Sequence, residues 1–414
     1  MKISSEKNYF SWARLSLFNL FLVSLVGVLL RYKIIFPLPL VDQKNLLHGH
    51  SHFAFSGWVS SAIFTLFIFV VLNEKGNKKV YRFLFWALQL TSYGMLFSFP
   101  FQGYAGVSIT FSTLSILVSY LFAWHCYKDL GNNPKWVKAF VKVSLFCFVI
   151  SSLAAFFLAY LMVSKNVTQG LYIGSVYFFL HFQYNGWFVF AIFALLLKKL
   201  YNAGAVLPEN DLKLFFWSIF LSAFPTFFLT TLWMRIPTWM YTTGVIGAFI
   251  QLLAAIIFIK LIAQQQNILK SILSPLVRIL WILSLLAFSI KVLLQLFSVI
   301  PFLSKFAFGY RSIVIGYLHL SFLGVSTLFL LGYLLQDKLL QLRKTASTGV
   351  IIFTAGVIAN QLLLMLQGSA AILFISLGWS NLALFIAAIV MNSGLLIFLL
   401  TQFTTKPIVI QNNT

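Results

Sequence analysis

Three histidines occupy one repeated position: His52 in HFAFSGW, His181 in HFQYNGW and His319 in HLSFLGV. Each is followed after three residues by an aromatic (Phe55, Tyr184, Phe322) and after five by a glycine (Gly57, Gly186, Gly324). The intervals of 129 and 138 residues are close to a third of the 414-residue chain. With only six histidines in the sequence, such a repeat points to a site on a pseudo-threefold axis. Imidazole is a common ligand of haem iron and of copper, which makes metal or haem ligation the chemistry to test.

The elements that carry these residues follow from composition. Hydrophobic residues make up 61% of the chain, charged residues 9%, and the mean hydropathy is +0.95. No water-soluble fold hides that much apolar surface, so the fold class is all-α integral membrane. Apolar runs of about 20 residues predict twelve spans, near 11–36, 48–73, 82–103, 106–128, 138–164, 172–200, 212–233, 240–264, 274–300, 311–335, 348–367 and 378–402. The connections are too short for a soluble domain, so residues 1–414 form a single polytopic membrane domain. Cys126 and Cys147 suggest neither a disulfide framework nor a thiolate metal site. No cleavable leader is expected ahead of the first span, since Lys2 and Lys7 are followed by an apolar run too long for a signal h-region.

The net charge of +22 is a topology signal. Twenty-one Lys and Arg fall with the termini and the even-numbered connections, seven fall on the other side, and Lys291 lies inside a span. The positive-inside rule then sets both termini in the cytoplasm, as in a multi-pass protein of a bacterial inner membrane. The excess charge faces anionic lipid, and no nucleic-acid partner is expected. On this topology spans 2, 6 and 10 run inward with their histidines in the outer half. Divided at the repeat, the spans form three groups of four, about 11–128, 138–264 and 274–402. On a helix the aromatic at +3 lies about 60° from the histidine, while the glycine at +5 lies about 140° away, where a neighbouring helix can approach closely.

Twelve spans in three groups of four, with histidines on spans 2, 6 and 10 and the phrase His48-Gly49-His50-Ser51-His52-Phe53-Ala54-Phe55-Ser56-Gly57-Trp58, resemble subunit I of the haem-copper oxidase superfamily. The resemblance implies that His52 and His319 are axial ligands of a b-type haem, with Phe55 and Phe322 as its aromatic wall. It also implies a copper near His181. His48 and His50 are further copper candidates from their own position, with ordinary exposed histidines at a helix entry as the alternative. A weaker likeness is to the NnrS-type haem/copper membrane proteins linked to nitric oxide tolerance.

The departures from that pattern narrow the chemistry. Span 7, LKLFFWSIFLSAFPTFFLTTLW, lacks the His-His pair, and the positions flanking His319 at ±2 are Tyr317 and Ser321. The cross-linked His-x-x-x-Tyr is absent, although Tyr184 stands at +3 from His181. All seven carboxylates fall in loops or termini, so the usual intramembrane proton route is missing. The expectation is therefore a divergent haem protein without a complete binuclear centre. It would act in electron transfer or in the handling of NO or O2, or the response to them, beside a donor or an oxidase or reductase subunit. If catalytic, it is an oxidoreductase of the haem-copper type and not a complete proton-pumping oxygen reductase. The alternatives are a transporter or permease with a histidine-lined path, and a non-catalytic assembly or sensor subunit.

Four further residues complete the candidates. Arg311, about 12 Å above His319 on the same helix, and Arg235, in WMRIPTW, are candidates for haem propionates; each also reads as an interfacial anchor. Lys291, about 24 Å along span 9, must snorkel, face a cavity or meet an anion. If residues 48–52 are helical, His48 and His52 share one face and His50 points away. His125 reads as a solvated end of span 4 beside Lys128.

Overall fold

The computed structural model describes residues 2–403, which form helices joined by short connections, with no strand among them. Eleven helices are long and apolar enough to cross a membrane. In chain order these are α1 (Lys2–Ile35), α2 (Gln43–Val71), α4 (Gly106–Asp129), α5 (Lys135–Val163), α6 (Gln169–Asn202), α7 (Glu209–Thr231), α8 (Thr238–Gln264), α9 (Pro275–Phe297), α10 (Arg311–Gln336), α11 (Lys344–Ile372) and α12 (Ser380–Phe403). Between α2 and α4 lies α3 (Lys79–Gln102), as long as α4 at 24 residues but less apolar. Its polarity has a structural use. Gln89 donates to Ser61 at 2.8 Å and accepts from Asn19 at 2.7 Å, so α3 is tied to α2 and α1 by a satisfied buried network.

Consecutive helices pack side by side, and α12 returns against α1, which closes a ring. Inside it α2, α6 and α10 touch one another. These are the histidine-bearing helices, and α2 and α6 are almost wholly buried. The ion pairs among the described residues gather at one end: Lys78–Asp129, Lys135–Glu209, Lys199–Asp337 and Lys260–Asp211. All eight residues lie in or beside the even-numbered connections, and the repeated histidines lie towards the other end.

Each central helix changes geometry just after its histidine. Ala54–Ser60, Phe182–Phe188 and Leu320–Thr327 are π-helical, with the repeated glycine inside each widened turn. Such turns add a residue to the coil and rotate the rest of the helix onto a new face. Gly186 and Gly324 then serve close packing against a neighbouring helix, as their position predicts, and Gly57 does not. A Cβ on Gly324 would come within 2.8 Å of Ala287 on α9, and one on Gly186 would collide with Cys147 on α5. At Gly57 the space belongs to the ring of Phe53 on the same helix.

Aromatic rings seal the axis. Phe55 meets Phe322 edge-on at 4.4 Å between centroids, and Phe188 packs on both at 5.6 and 5.4 Å. These contacts join the three central helices through their π-turns.

Candidate functional site

Asp42 caps α2 by accepting the Asn45 N–H at 2.9 Å, so the helix is fixed before the histidines begin. The segment Gln43–Phe53 is regular α-helix, and it splits the three histidines between two faces. His48 and His52 look towards α3 and His50 towards α1. Gly49 permits this, since a Cβ there would lie 3.1 Å from the Pro100 ring of α3.

On the α3 side His52 stacks on Phe99 at 4.5 Å, and its Nε2 is hydrogen-bonded to the Tyr104 hydroxyl at 2.9 Å. His48 meets the Tyr104 ring edge-on at 4.7 Å, and its Nε2 is buried without a hydrogen-bond partner. The expected facing of His52 and His319 is therefore not what the helix does: His52 is turned to α3.

On the α1 side His50 lies within electrostatic reach of His319 and Arg31. Its ring packs on α1, where a Cβ on Gly27 would lie 3.4 Å from the His50 Cε1, and its Nδ1 is buried with no hydrogen-bond partner among the described residues. In His319 the Nδ1–H donates to the Ile315 carbonyl at 2.8 Å, and Nε2 has no partner among the described residues. That anchor fixes the His319 tautomer and leaves its Nε2 lone pair for a ligand, while His50 keeps an unpartnered Nδ1.

Two arginines flank this pair. Arg31, on α1, is near enough to Arg311, at the start of α10, for the two charges to repel. No ion pair among the described residues includes either one. Arg31 is absent from the residues that spacing and motif single out; its one sequence signal is that of a lone arginine interrupting an apolar run beside Tyr32. Arg235 is exposed in the α7–α8 connection and is in no described contact with the histidines.

His181 differs from its two counterparts. It is fully buried; its Nε2 donates to the Ala223 carbonyl at 2.8 Å, and its Nδ1 accepts from Asn185 Nδ2 at 3.0 Å. Ala223 has a spare carbonyl because the helix tightens to a 3₁₀ turn over Pro225–Thr231, where the Phe227 N–H bonds to Phe224 instead. Both imidazole nitrogens are thus in use, and the copper expected at His181 finds no free lone pair there. The +3 aromatic, Tyr184, packs on Tyr317 of α10 at 5.9 Å. Phe55 and Phe322, expected to wall a haem, instead contact each other across the axis.

Lys291 neither snorkels nor pairs with a carboxylate. It is 1% exposed and donates to Gln295 on its own helix at 3.2 Å, with His181 near enough to feel its charge. His125 sits at the opposite end of the molecule from the other five, 6.4 Å from the Tyr81 ring.

Among the described residues, no three His, Cys, Asp or Glu side chains form a metal-binding group. A cavity of about 530 Å³ opens between α5, α6 and α7, and one of about 100 Å³ lies between α6, α8, α9 and α10; no histidine lines either. No protein-family model matches the chain, and no curated protein matches it in sequence.

Proposed function

We propose that this chain is a divergent haem-binding membrane protein on the plan of haem-copper oxidase subunit I, serving electron transfer. The observation that carries the reading is the pair His50 and His319. Each has a ring nitrogen with no hydrogen-bond partner among the described residues, His319 has its Nδ1–H held on a backbone carbonyl, and Arg31 and Arg311 beside them are in no described ion pair. Two neutral imidazoles suit the axial positions of a haem iron, and Arg31 and Arg311 suit its propionates. The bound haem would supply a one-electron couple. The protein's part is to fix the His319 tautomer, exclude water through the Phe55–Phe188–Phe322 plug and balance the propionate charge.

A haem held by both His50 and His319 would supply electron transfer, with a donor or acceptor subunit in the same membrane as the partner. We orient the chain with the ion-paired end in the cytoplasm, following the basic connections.

The test is the absorption spectrum of protein purified from haem-replete cells. A Soret band with a six-coordinate low-spin signature is expected, lost in both His50→Ala and His319→Ala and retained in His52→Ala. A colourless preparation refutes the reading, as does haem that survives in His50→Ala and disappears in His52→Ala. The buried Lys291 beside His181 favours a second reading, a polar path through the bundle. Substrate uptake that persists after haem depletion would select it.

A further inference from the structure

The opposite face of the same helix turn carries a second set of donors that the haem reading does not use. His48 and His52 stand one turn apart on α2, the spacing at which two imidazoles reach one metal ion. Both are set against Tyr104: His52 Nε2 lies 2.9 Å from the hydroxyl, and the His48 ring meets the phenol ring at 4.7 Å. His48 Nε2 is buried and has no hydrogen-bond partner, which is costly for an imidazole nitrogen unless a ligand takes it.

The turn that presents Tyr104 is built for its position. Gly103 adopts φ +60°, which a side chain would resist, and the place of its missing Cβ is taken by the Asn45 side chain of α2. The Ser108 hydroxyl donates to the Gly103 carbonyl at 2.5 Å, locking the turn to the start of α4. Tyr104 is 45% exposed, so an ion from the aqueous side can reach the cluster without crossing the bundle. Gly49, packed on Pro100, keeps α2 and α3 close enough for both helices to contribute.

We infer that His48, His52 and Tyr104 form a binding site for a divalent first-row metal ion, with copper(II) the tightest binder. Imidazole nitrogen and phenol oxygen suit copper(II), and the Irving–Williams order places it above zinc and nickel. Binding replaces the His52–Tyr104 hydrogen bond with metal–nitrogen bonds to His48 and His52. When the Tyr104 oxygen coordinates as phenolate, its proton passes to solvent, and water completes the shell. No electron is transferred. The site is independent of the haem reading, because it uses the face of α2 turned away from His319.

The experiment is a copper(II) titration of the purified full-length protein, followed by electron paramagnetic resonance and equilibrium dialysis, with haem content recorded separately. One tightly bound equivalent is expected, with hyperfine structure from two imidazole nitrogens. His48→Ala and His52→Ala should each weaken binding at least tenfold, and His125→Ala, at the other end of the molecule, should not. Tyr104→Phe should abolish proton release on binding while keeping the two-nitrogen signal. Should either histidine variant fail to fold, His48→Gln and His52→Gln, checked by gel filtration, replace them. Binding unchanged in the His48 variant, or a signal without nitrogen coupling, overturns the assignment. A colourless protein that still binds copper would refute the haem reading alone.

Discussion

Trp187 on α6 donates its indole N–H to the Ser60 hydroxyl on α2 at 3.1 Å, 127 positions away in the chain. Trp58 on α2 does the same to Thr327 on α10 at 2.9 Å, and the two bonds are one bond repeated. Each tryptophan follows its repeated histidine by six residues, and each hydroxyl follows its own by eight. The third such link would join Val325 to Val189, two side chains that can form no hydrogen bond. The threefold arrangement of the histidine helices is therefore a packing relation as well as a sequence repeat. It is broken on the α6–α10 side.

These two bonds are buried, so each removes a donor and an acceptor from an apolar interior. Trp58→Phe and Trp187→Phe should each cost about 1–3 kcal/mol, since a buried hydroxyl left without its partner carries the full desolvation penalty. Thermal unfolding in mild detergent reads this directly. Unchanged midpoints in both variants would mean the bonds contribute nothing to holding the central helices together.

Much of the fold was legible because apolar length and charge asymmetry are local signals. The α3 helix is harder: Gln89 reads as a flaw in a span until its partners Asn19 and Ser61 are known. The site was legible only up to the π-turns. A constant 100° per residue correctly separates His50 from His48 and His52, because Gln43–Phe53 is regular α-helix. It cannot say which of those faces meets α10. That is settled by Gly49 against Pro100 and by the turn holding Tyr104, both contacts with distant residues. Arg31 is hidden for the same reason, since its neighbours His50 and Arg311 come from other helices.

His181 should behave as a clamp. Replacing it with Phe strands the Asn185 amide and leaves the Ala223 carbonyl only the Thr226 hydroxyl at 3.5 Å, which should cost about 1–3 kcal/mol for the orphaned amide. The expected result is a lower unfolding midpoint with haem content per folded molecule unchanged. Loss of a bound metal at unaltered stability would instead return His181 to the ligand set.

Lys291 predicts the opposite sign. An ammonium inside the bundle with one neutral amide partner is poorly compensated. Lys291→Met keeps the volume and removes the polar head, so it should raise the unfolding midpoint. A clear fall would reveal an anionic partner that binds there, and a stabilised variant without activity would mark the lysine as functional.

The Lys199–Asp337 pair at the ion-paired end tests how burial and charge compete. The two side chains are only 19% and 13% exposed. Burial holds the Asp337 carboxyl above its ordinary range, with Lys199 pulling the other way. Lys199→Met removes that opposing partner and leaves a buried carboxylate, which should cost about 3–5 kcal/mol near neutral pH. Replacing both, as Lys199→Met with Asp337→Leu, should recover most of the loss. The pH dependence has a definite sign. A carboxyl whose folded pKa is raised takes up a proton in the folded state first, so folding gains as pH falls through that pKa. The deficit of Lys199→Met should therefore shrink on acidification, while the double variant, lacking the group, should show no such recovery. Unfolding midpoints of the single and double variants between neutral and mildly acid pH check both statements, and a deficit independent of pH would remove Asp337 as its cause.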